Sequence, residues 1–274
     1  MARIATFYDH IVDISRQEHL FVVDALKLAR EMGVEAVETS ANNILGREDE
    51  VGQEIAMADM AISAVPAYFD FGRDGDVEHQ ATPILESARF LGADKLLVIP
   101  GFFKEGDSPE EREAQTVGME EGINRLADLA AGYGVSLVME DYDNKLAPFS
   151  TMEGVRRFMD RCPGLSCAFD SGNFRYADQD YLEAYDLLRD RIGHVHLKDR
   201  AFVASNGEGA TVAVDGVSLY PAPVGSGDLH LEKLIPLLKQ DGYNGTYTVE
   251  HYGSNAALEY LRKSVEWVKN QLEL

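Results

Sequence analysis

Short apolar runs alternate with longer segments of helical periodicity along the whole chain. The runs are continuously apolar rather than strictly alternating, which is typical of strands covered on both faces in a parallel sheet. They occupy residues 3–8, 34–39, 62–69, 94–100, 135–140, 165–170, 193–198 and 245–250. This pattern predicts eight strands.

The segments between the runs carry helix signals. Segment 22–33 has apolar residues at i, i+3, i+4 and i+7 and a closing glycine. Ser108 and Pro109 have the residue types of a helix cap and first turn, and Ser150 with Glu153 predicts a capping box. Further helices are predicted over 77–91, 108–134, 155–159, 180–192, 228–241 and 255–272.

Repeated β-then-α units without a linker or a shift in composition favour one fold class. They predict an α/β protein, a (β/α)8 TIM barrel that forms a single domain over residues 1–274. An open doubly wound sheet is the alternative. It is less favoured because no G-x-G-x-x-G motif follows the first strand to bind a dinucleotide.

Composition narrows the function classes. The chain has 25 basic and 47 acidic side chains and a formal net charge of −22, which opposes binding to nucleic acid. Two cysteines do not make a disulfide scaffold, and no stretch is long and apolar enough for a membrane span. We expect a cytoplasmic protein that binds neither nucleic acid nor membrane; a homo-oligomer is compatible with the sequence.

Four polar residues end the last four predicted strands: Glu140, Asp170, His196 and Glu250. Active sites of such barrels lie at the carboxyl ends of the strands, so these side chains are expected to converge. Three carboxylates and one imidazole suit a single divalent ion, Mn²⁺, Mg²⁺, Co²⁺ or Zn²⁺. Each residue alone is more often structural; the joint pattern indicates a metal site because buried runs do not end in carboxylates without partners.

Several motifs resemble the xylose isomerase-like TIM barrels, a broad group of sugar phosphate isomerases and epimerases. The motifs are LVMED (137–141), FDSGN (169–173), HVHLKD (194–199), PVGSGDL (223–229) and DGYNGTYTVEHY (241–252). The resemblance implies that Glu140, Asp170, His196 and Glu250 are metal ligands. It also implies that Glu140 and Glu250 form an acid/base pair.

The expected chemistry begins with removal of a proton next to a ketose carbonyl, giving an enediolate that the metal stabilises. Proton return by the second glutamate makes the protein an isomerase or epimerase of carbohydrate metabolism, acting on a sugar or sugar phosphate. Loss of a β-hydroxyl instead makes it a dehydratase (lyase) of a cyclic polyol ketone or oxo acid, which is the alternative. Apurinic endonuclease chemistry ranks last, because it needs several zinc ions and many histidines, and the chain has seven histidines.

Other candidate residues concern the substrate. Asn173 replaces the histidine, and Leu146 the glutamate, of free-ketose 3-epimerases, so hydroxyl contacts are expected to differ from theirs. Lys198 and Arg200 can meet a phosphate, carboxylate or hydroxyl, or can be solvated or paired. His10, just beyond the first strand, is a further candidate for the pocket wall.

Two loops are long enough to cover a site at the carboxyl ends of the strands. Loop 201–225 is expected to contain a hairpin around Asp215 and Gly216 and to act as a lid or a subunit contact. Segment 102–107 is the second candidate cover. The glycines of VGSGDLH (224–230) are compatible with a tight turn and with ligand contact.

Overall fold

The computed structural model describes residues 2–273, within which eight parallel strands close into a barrel. Each strand pairs with the next, and the last strand pairs with both the seventh and the first. The barrel strands are β1 (Arg3–Phe7), β2 (Ala36–Glu38), β3 (Ala61–Tyr68), β4 (Lys95–Ile99), β5 (Ser136–Met139), β6 (Leu165–Asp170), β7 (Ile192–Ala201) and β10 (Thr246–Glu250). The predicted single-domain α/β TIM barrel is confirmed.

Helices surround the barrel and connect its strands. Over residues 2–273 the α-helices are α1 (Tyr8–Gln17), α2 (Val22–Met32), α3 (Ala41–Ile44), α4 (Glu48–Met57), α5 (Val77–Phe90), α6 (Pro109–Tyr133), α7 (Met152–Arg161), α8 (Tyr181–Leu188), α9 (Leu234–Gln240) and α10 (Ala257–Glu273). Short 3₁₀ turns lie at Phe174–Ala177, Arg189–Arg191 and Leu231–Lys233. None of the helices in this part of the chain has both the length and the apolar character needed to cross a bilayer.

The sequence patterns located the elements well, with local exceptions. All eight predicted runs are strands, and α6 begins with a capping box between Ser108 and Glu111. Helices α1, α3 and α4 were not predicted. The capping box at Ser150 is wrong, because Thr151 has the extended backbone of an N-cap and its hydroxyl accepts from the Gly154 amide at 3.1 Å.

A small antiparallel hairpin interrupts the β/α alternation after β7. Its strands are β8 (Thr211–Val212) and β9 (Ser218–Ala222), and β9 also pairs with the end of β7. The turn lies between them, with Gly216 at a φ of 85°, a value that favours glycine. The predicted hairpin around Asp215 and Gly216 is confirmed.

Candidate active site

Four predicted side chains meet at the carboxyl end of the barrel. Glu140 follows β5 directly, Asp170 and Glu250 end β6 and β10, and His196 lies within β7. One ligand-type atom from each lies within 4.8 Å of the others. The strand register contributes to this convergence, because His196 of β7 pairs with Asp170 of the neighbouring strand β6. The arrangement can hold a metal ion.

Burial and mutual repulsion make these carboxylates unusual. Asp170 is fully buried; its Oδ1 accepts from the Gly172 and Asn173 amides, whereas its Oδ2 has no hydrogen-bond partner among residues 2–273. Burial raises the pKa of Asp170 to about 8, and nearby Glu250 and Glu140 add to this against the opposing effect of Lys198. Burial also raises the pKa of Glu140. A divalent cation would relieve this clustering of acids, so the donor set fits a metal.

His196 is hydrogen-bonded through both ring nitrogens. Its Nδ1 lies 2.7 Å from Glu140 Oε2, and its Nε2 lies 3.2 Å from Glu38 Oε2. Burial acts to lower the pKa of His196, but Glu38 and Glu140 outweigh it and hold that pKa well above its usual value. Without metal, these two carboxylates favour the protonated form of the ring.

Lys198 places a buried ammonium group in the cavity wall beside Glu250. Its Nζ lies 2.5 Å from Glu250 Oε1 and donates to Asn173 Oδ1 at 2.7 Å. Burial alone would lower the pKa of Lys198, yet Glu250, Asp143 and Asp170 raise it above its ordinary value. Lys198 is thus held as an ammonium ion directly beside one of the candidate acid/base residues.

A cavity of about 450 Å³ opens onto this cluster. The predicted site residues Glu140, Glu250, Asn173 and Lys198 line it. Its other walls are Phe7, Asp9, Ser40, Asn42, Asn43, Pro66, Tyr68, Leu97, Ile99, Tyr142, Asp143 and Tyr252. Hydroxyl, amide and carboxylate groups alternate with aromatic rings, a lining suited to a small polyhydroxy compound.

Two predicted contact residues do not line the cavity. Arg200 is 4% exposed, and its guanidinium donates to Asp143 Oδ2 at 2.8 Å. His10 lies in the first turn of α1, where its ring is buried and stacks on His251 with centroids 4.2 Å apart. Both side chains are buried behind the cavity wall, away from the space where a substrate fits.

The PVGSGDL motif forms a turn around a buried carboxylate. Asp199 Oδ2 accepts from the Gly225 and Gly227 amides, each at 3.0 Å, and its Oδ1 accepts from the Arg200 and Leu229 amides. A Cβ at Gly227 would lie 2.2 Å from Asp199 Oδ1, so a side chain does not fit there. Between the two interpretations of these glycines, the structure supports the tight turn.

Neither candidate cover lines the cavity. No residue of 201–225, all of which the structure describes, is in its wall, and the same holds for 102–107. The hairpin lies to one side, where Arg175 pairs with Asp215 at 2.8 Å and the Tyr260 hydroxyl donates to Glu208. In this structure the loop flanks the site because these contacts hold it against the neighbouring β/α loops.

Sequence reasoning missed two buried residues that contact the metal cluster or its ligand. Glu38 ends β2 and His194 precedes His196 by two residues in β7; both are fully buried. The strand-end rule would have found Glu38 had it been applied to the second apolar run. The twofold period of a strand would have placed His194 on the same face as His196. The cavity residues Asp9 and Asn43, which lie in helices α1 and α3 just after strands β1 and β2, have no comparable signal.

Comparison with protein families gives a match to most of the chain. The family described as xylose isomerase-like TIM barrel matches residues 26–271. A curated relative from Clostridium perfringens, named inosose dehydratase, is 30% identical over 173 residues, covering 60% of this chain and 57% of that protein. The match thus spans a little over half the length of this relative.

Solved structures share the whole architecture. The probable 3-DHS dehydratase AsbF from Bacillus anthracis has a TM-score of 0.72 and 17% identity, covering 98% of this chain and 99% of that one. The 3-keto-D-glucoside 4-epimerase YcjR from E. coli has a TM-score of 0.71 and 19% identity, with 98% and 100% covered. The IOLI protein, solved with a zinc atom, has a TM-score of 0.73 and 14% identity, with 99% and 98% covered. At sequence identities this low, the similarity to these structures shows a shared fold and does not by itself indicate a shared activity.

Proposed function

This chain belongs to the xylose isomerase-like TIM barrel family, and from that membership we propose that it is a divalent-metal-dependent dehydratase of an uncharged cyclic polyhydroxy ketone. The observation that carries the choice of reaction is the 30% identity to a protein named inosose dehydratase. This choice reverses the order expected from the sequence, in which the isomerase or epimerase came first and the dehydratase was the alternative.

The charges in the cavity wall support an uncharged substrate. Asp9, Asp143, Glu140 and Glu250 contribute carboxylates, whereas Lys198 is the cation among the described wall residues and is already paired with Glu250. A phosphate or carboxylate group is normally bound by free arginine or lysine side chains. A sugar phosphate or an oxo acid would instead meet an acidic wall, while the hydroxyls of a neutral polyol can donate to these carboxylates.

The metal would be held by Glu140, Asp170, His196 and Glu250, with Mn²⁺, Mg²⁺, Co²⁺ and Zn²⁺ as candidates. A divalent cation bound there supplies Lewis-acid polarisation of the ketone and stabilises developing negative charge. Asp170 fits this role because its Oδ1 is anchored by two backbone amides and its buried Oδ2 accepts no hydrogen bond from the part of the chain that the structure describes.

Dehydration requires one proton acceptor and one proton donor. In our proposal Glu250 accepts the proton from the carbon next to the ketone, and the electron pair of that C–H bond forms the new C=C bond. The C–O bond of the β-hydroxyl breaks, and the hydroxyl leaves as water with a proton from the Lys198 ammonium. Transfer between Glu250 Oε1 and Lys198 Nζ, 2.5 Å apart, then restores both groups. The net change is loss of one water.

An activity assay tests this proposal directly. The protein, loaded with Mn²⁺, is incubated with an inosose, with 3-dehydroshikimate and with a phosphorylated ketose, and ultraviolet absorbance reports the conjugated product. We expect turnover of the inosose alone, and loss of turnover in Lys198→Met. Turnover of the phosphorylated ketose in preference to the inosose would contradict the charge argument, and absence of any unsaturated product would contradict dehydration.

A second candidate is epimerisation at the carbon next to the ketone. Two carboxylates, Glu140 and Glu250, line the cavity from different strands, and two acid/base groups are what proton exchange between faces requires. Incorporation of solvent deuterium into a ketose without an unsaturated product would favour this candidate over the dehydratase.

A further inference from the structure

A second group of buried polar side chains lies beneath the candidate metal ligands, inside the barrel. Glu38, His194 and Thr248 are each fully buried. His194 Nε2 lies 2.6 Å from Glu38 Oε1, and the Thr248 hydroxyl donates to the same oxygen. The other oxygen of Glu38 faces His196 Nε2 at 3.2 Å. The group therefore touches the metal site through one ligand only.

Glu38 acts in this group as a hydrogen-bond acceptor. Its two oxygens face three hydrogen-bonding groups: the Nε2 atoms of His194 and His196 and the Thr248 hydroxyl. The set Glu38, His194 and His196 also has the composition of a metal site. Here, however, the Thr248 and histidine protons satisfy the carboxylate, so no second cation is needed to neutralise it.

Two irregularities in the barrel bring these side chains together. The register between β2 and β3 shifts at Glu38, leaving Ser63 as an extra residue in β3. The register between β6 and β7 shifts just before His194, leaving Gly193 as an extra residue in β7. Bulges redirect the side chains beside them and are common near active sites. Both bulges flank the contact between Glu38 and His194.

The contact between Glu38 and His196 bears on which ring nitrogen of His196 is free for a metal. An imidazole binds a metal only through a nitrogen that carries no proton. Nδ1 faces the other ligands, 2.7 Å from Glu140 and 3.7 Å from Glu250, whereas Nε2 faces the Glu38 carboxylate. A carboxylate at Nε2 retains the proton there and leaves the lone pair on Nδ1, directed at the cluster.

We propose that Glu38 is a positioning residue: it fixes the His196 ring and its Nε2–H tautomer so that Nδ1 ligates the metal, while His194 and Thr248 hold Glu38 in place. This inference rests on the metal site of the proposed function but not on the dehydration chemistry. Glu38 does not line the cavity, so it acts through His196 rather than on the substrate.

Metal affinity of matched variants tests the proposal. Zn²⁺ binding to the metal-stripped protein is measured by calorimetric competition with a chelator for wild type, Glu38→Gln and Glu120→Gln. Glu120 is the matched control, since it is a buried carboxylate paired with Arg157 at 2.7 Å and lies outside the cluster. We expect Glu38→Gln to bind Zn²⁺ about 10- to 100-fold more weakly, as replacing such partners of metal-bound histidines does elsewhere, and Glu120→Gln to bind as wild type does.

A second measurement needs no variant. Long-range ¹H–¹⁵N correlation spectra of the zinc-loaded wild-type protein report which nitrogen of His196 is protonated, and we expect Nε2. Protonated Nδ1, or equal affinity of Glu38→Gln and wild type, would overturn the role of Glu38. Zinc binding without dehydration would overturn only the proposed function, and no zinc binding by wild type would overturn both.

Discussion

The protonation of the metal-free cluster makes a strong pH dependence of metal binding the most direct prediction. Burial and neighbouring carboxylates raise the pKa of Asp170 to about 8, so this ligand is mostly neutral at pH 7. Despite burial, Glu38 and Glu140 hold the pKa of His196 well above its usual value, which favours a proton on its ring as well. A metal ligand must be deprotonated, and uptake of one ion therefore displaces these protons.

The size of the effect follows from the titration of the two groups. Between pH 6 and pH 8 the ionised fraction of an acid with a pKa of about 8 rises from ~1% to ~50%, a gain of ~50-fold in competent Asp170. His196 contributes ~10-fold per pH unit for as long as the pH stays below its raised pKa. Affinity should thus tighten by at least ~50-fold over this range through Asp170, and by more through release of the His196 proton.

Calorimetric titration of Mn²⁺ into the metal-stripped protein measures this dependence. Repeating each titration in buffers of different ionisation enthalpy counts the released protons, and we expect about two per ion near pH 6.5. Asp143→Asn is the control. Lys198 and Arg200 hold the pKa of Asp143 below its usual value although burial opposes them, so Asp143 is ionised throughout and its loss should leave the slope unchanged. An affinity that does not vary between pH 6 and 8 would refute the assigned protonation state.

Three further predictions concern catalysis, the ion and the fold. Glu250→Gln should lower dehydration and solvent proton exchange by at least about 10²-fold, because the proton acceptor is lost, while circular dichroism shows an intact fold; activity near the wild-type level would remove Glu250 from the mechanism. Dialysis against a chelator should abolish activity, and about one equivalent of divalent ion per chain should restore it, as a single site requires; full activity without metal would exclude the metal-dependent reaction. Asp199→Asn places the side-chain NH₂ group, a donor, against the donating amides of Arg200 and Leu229. This variant should lower the free energy of unfolding in urea by about 2–4 kcal/mol, whereas Asp228→Asn, at an exposed carboxylate, should lower it by under about 1 kcal/mol. An equal loss of unfolding free energy in the two variants would contradict the stabilising role of the backbone hydrogen bonds to Asp199.

The order of elements and the four candidate metal ligands could be read from the sequence. Both depend on local patterns: a continuous apolar run predicts a buried parallel strand, and a polar residue at its carboxyl end points to the functional face of a barrel. Glu140, Asp170, His196 and Glu250 each end or interrupt such a run, so a rule that considers one strand at a time finds them. The N-cap of α7 shows the limit of this approach, because it is Thr151 and not the predicted Ser150. Backbone angles decide between the two neighbouring residues, and the residue types do not determine those angles.

Contacts between residues far apart in the chain were decided only by the tertiary structure. Glu38 meets His196 across 158 positions because closure of the barrel and two bulges bring β2 and β7 face to face. Lys198 could be assigned to solvent or to substrate from the sequence, and its pairing with Glu250 exists only because β7 and β10 are neighbours. His10 does not line the cavity, and its ring stacks on that of His251. The two histidines are far apart in the chain, so the sequence around each one does not predict this contact. Local periodicity encodes which residues face inward, whereas the partners they meet there are set by how eight separate strands close into one ring.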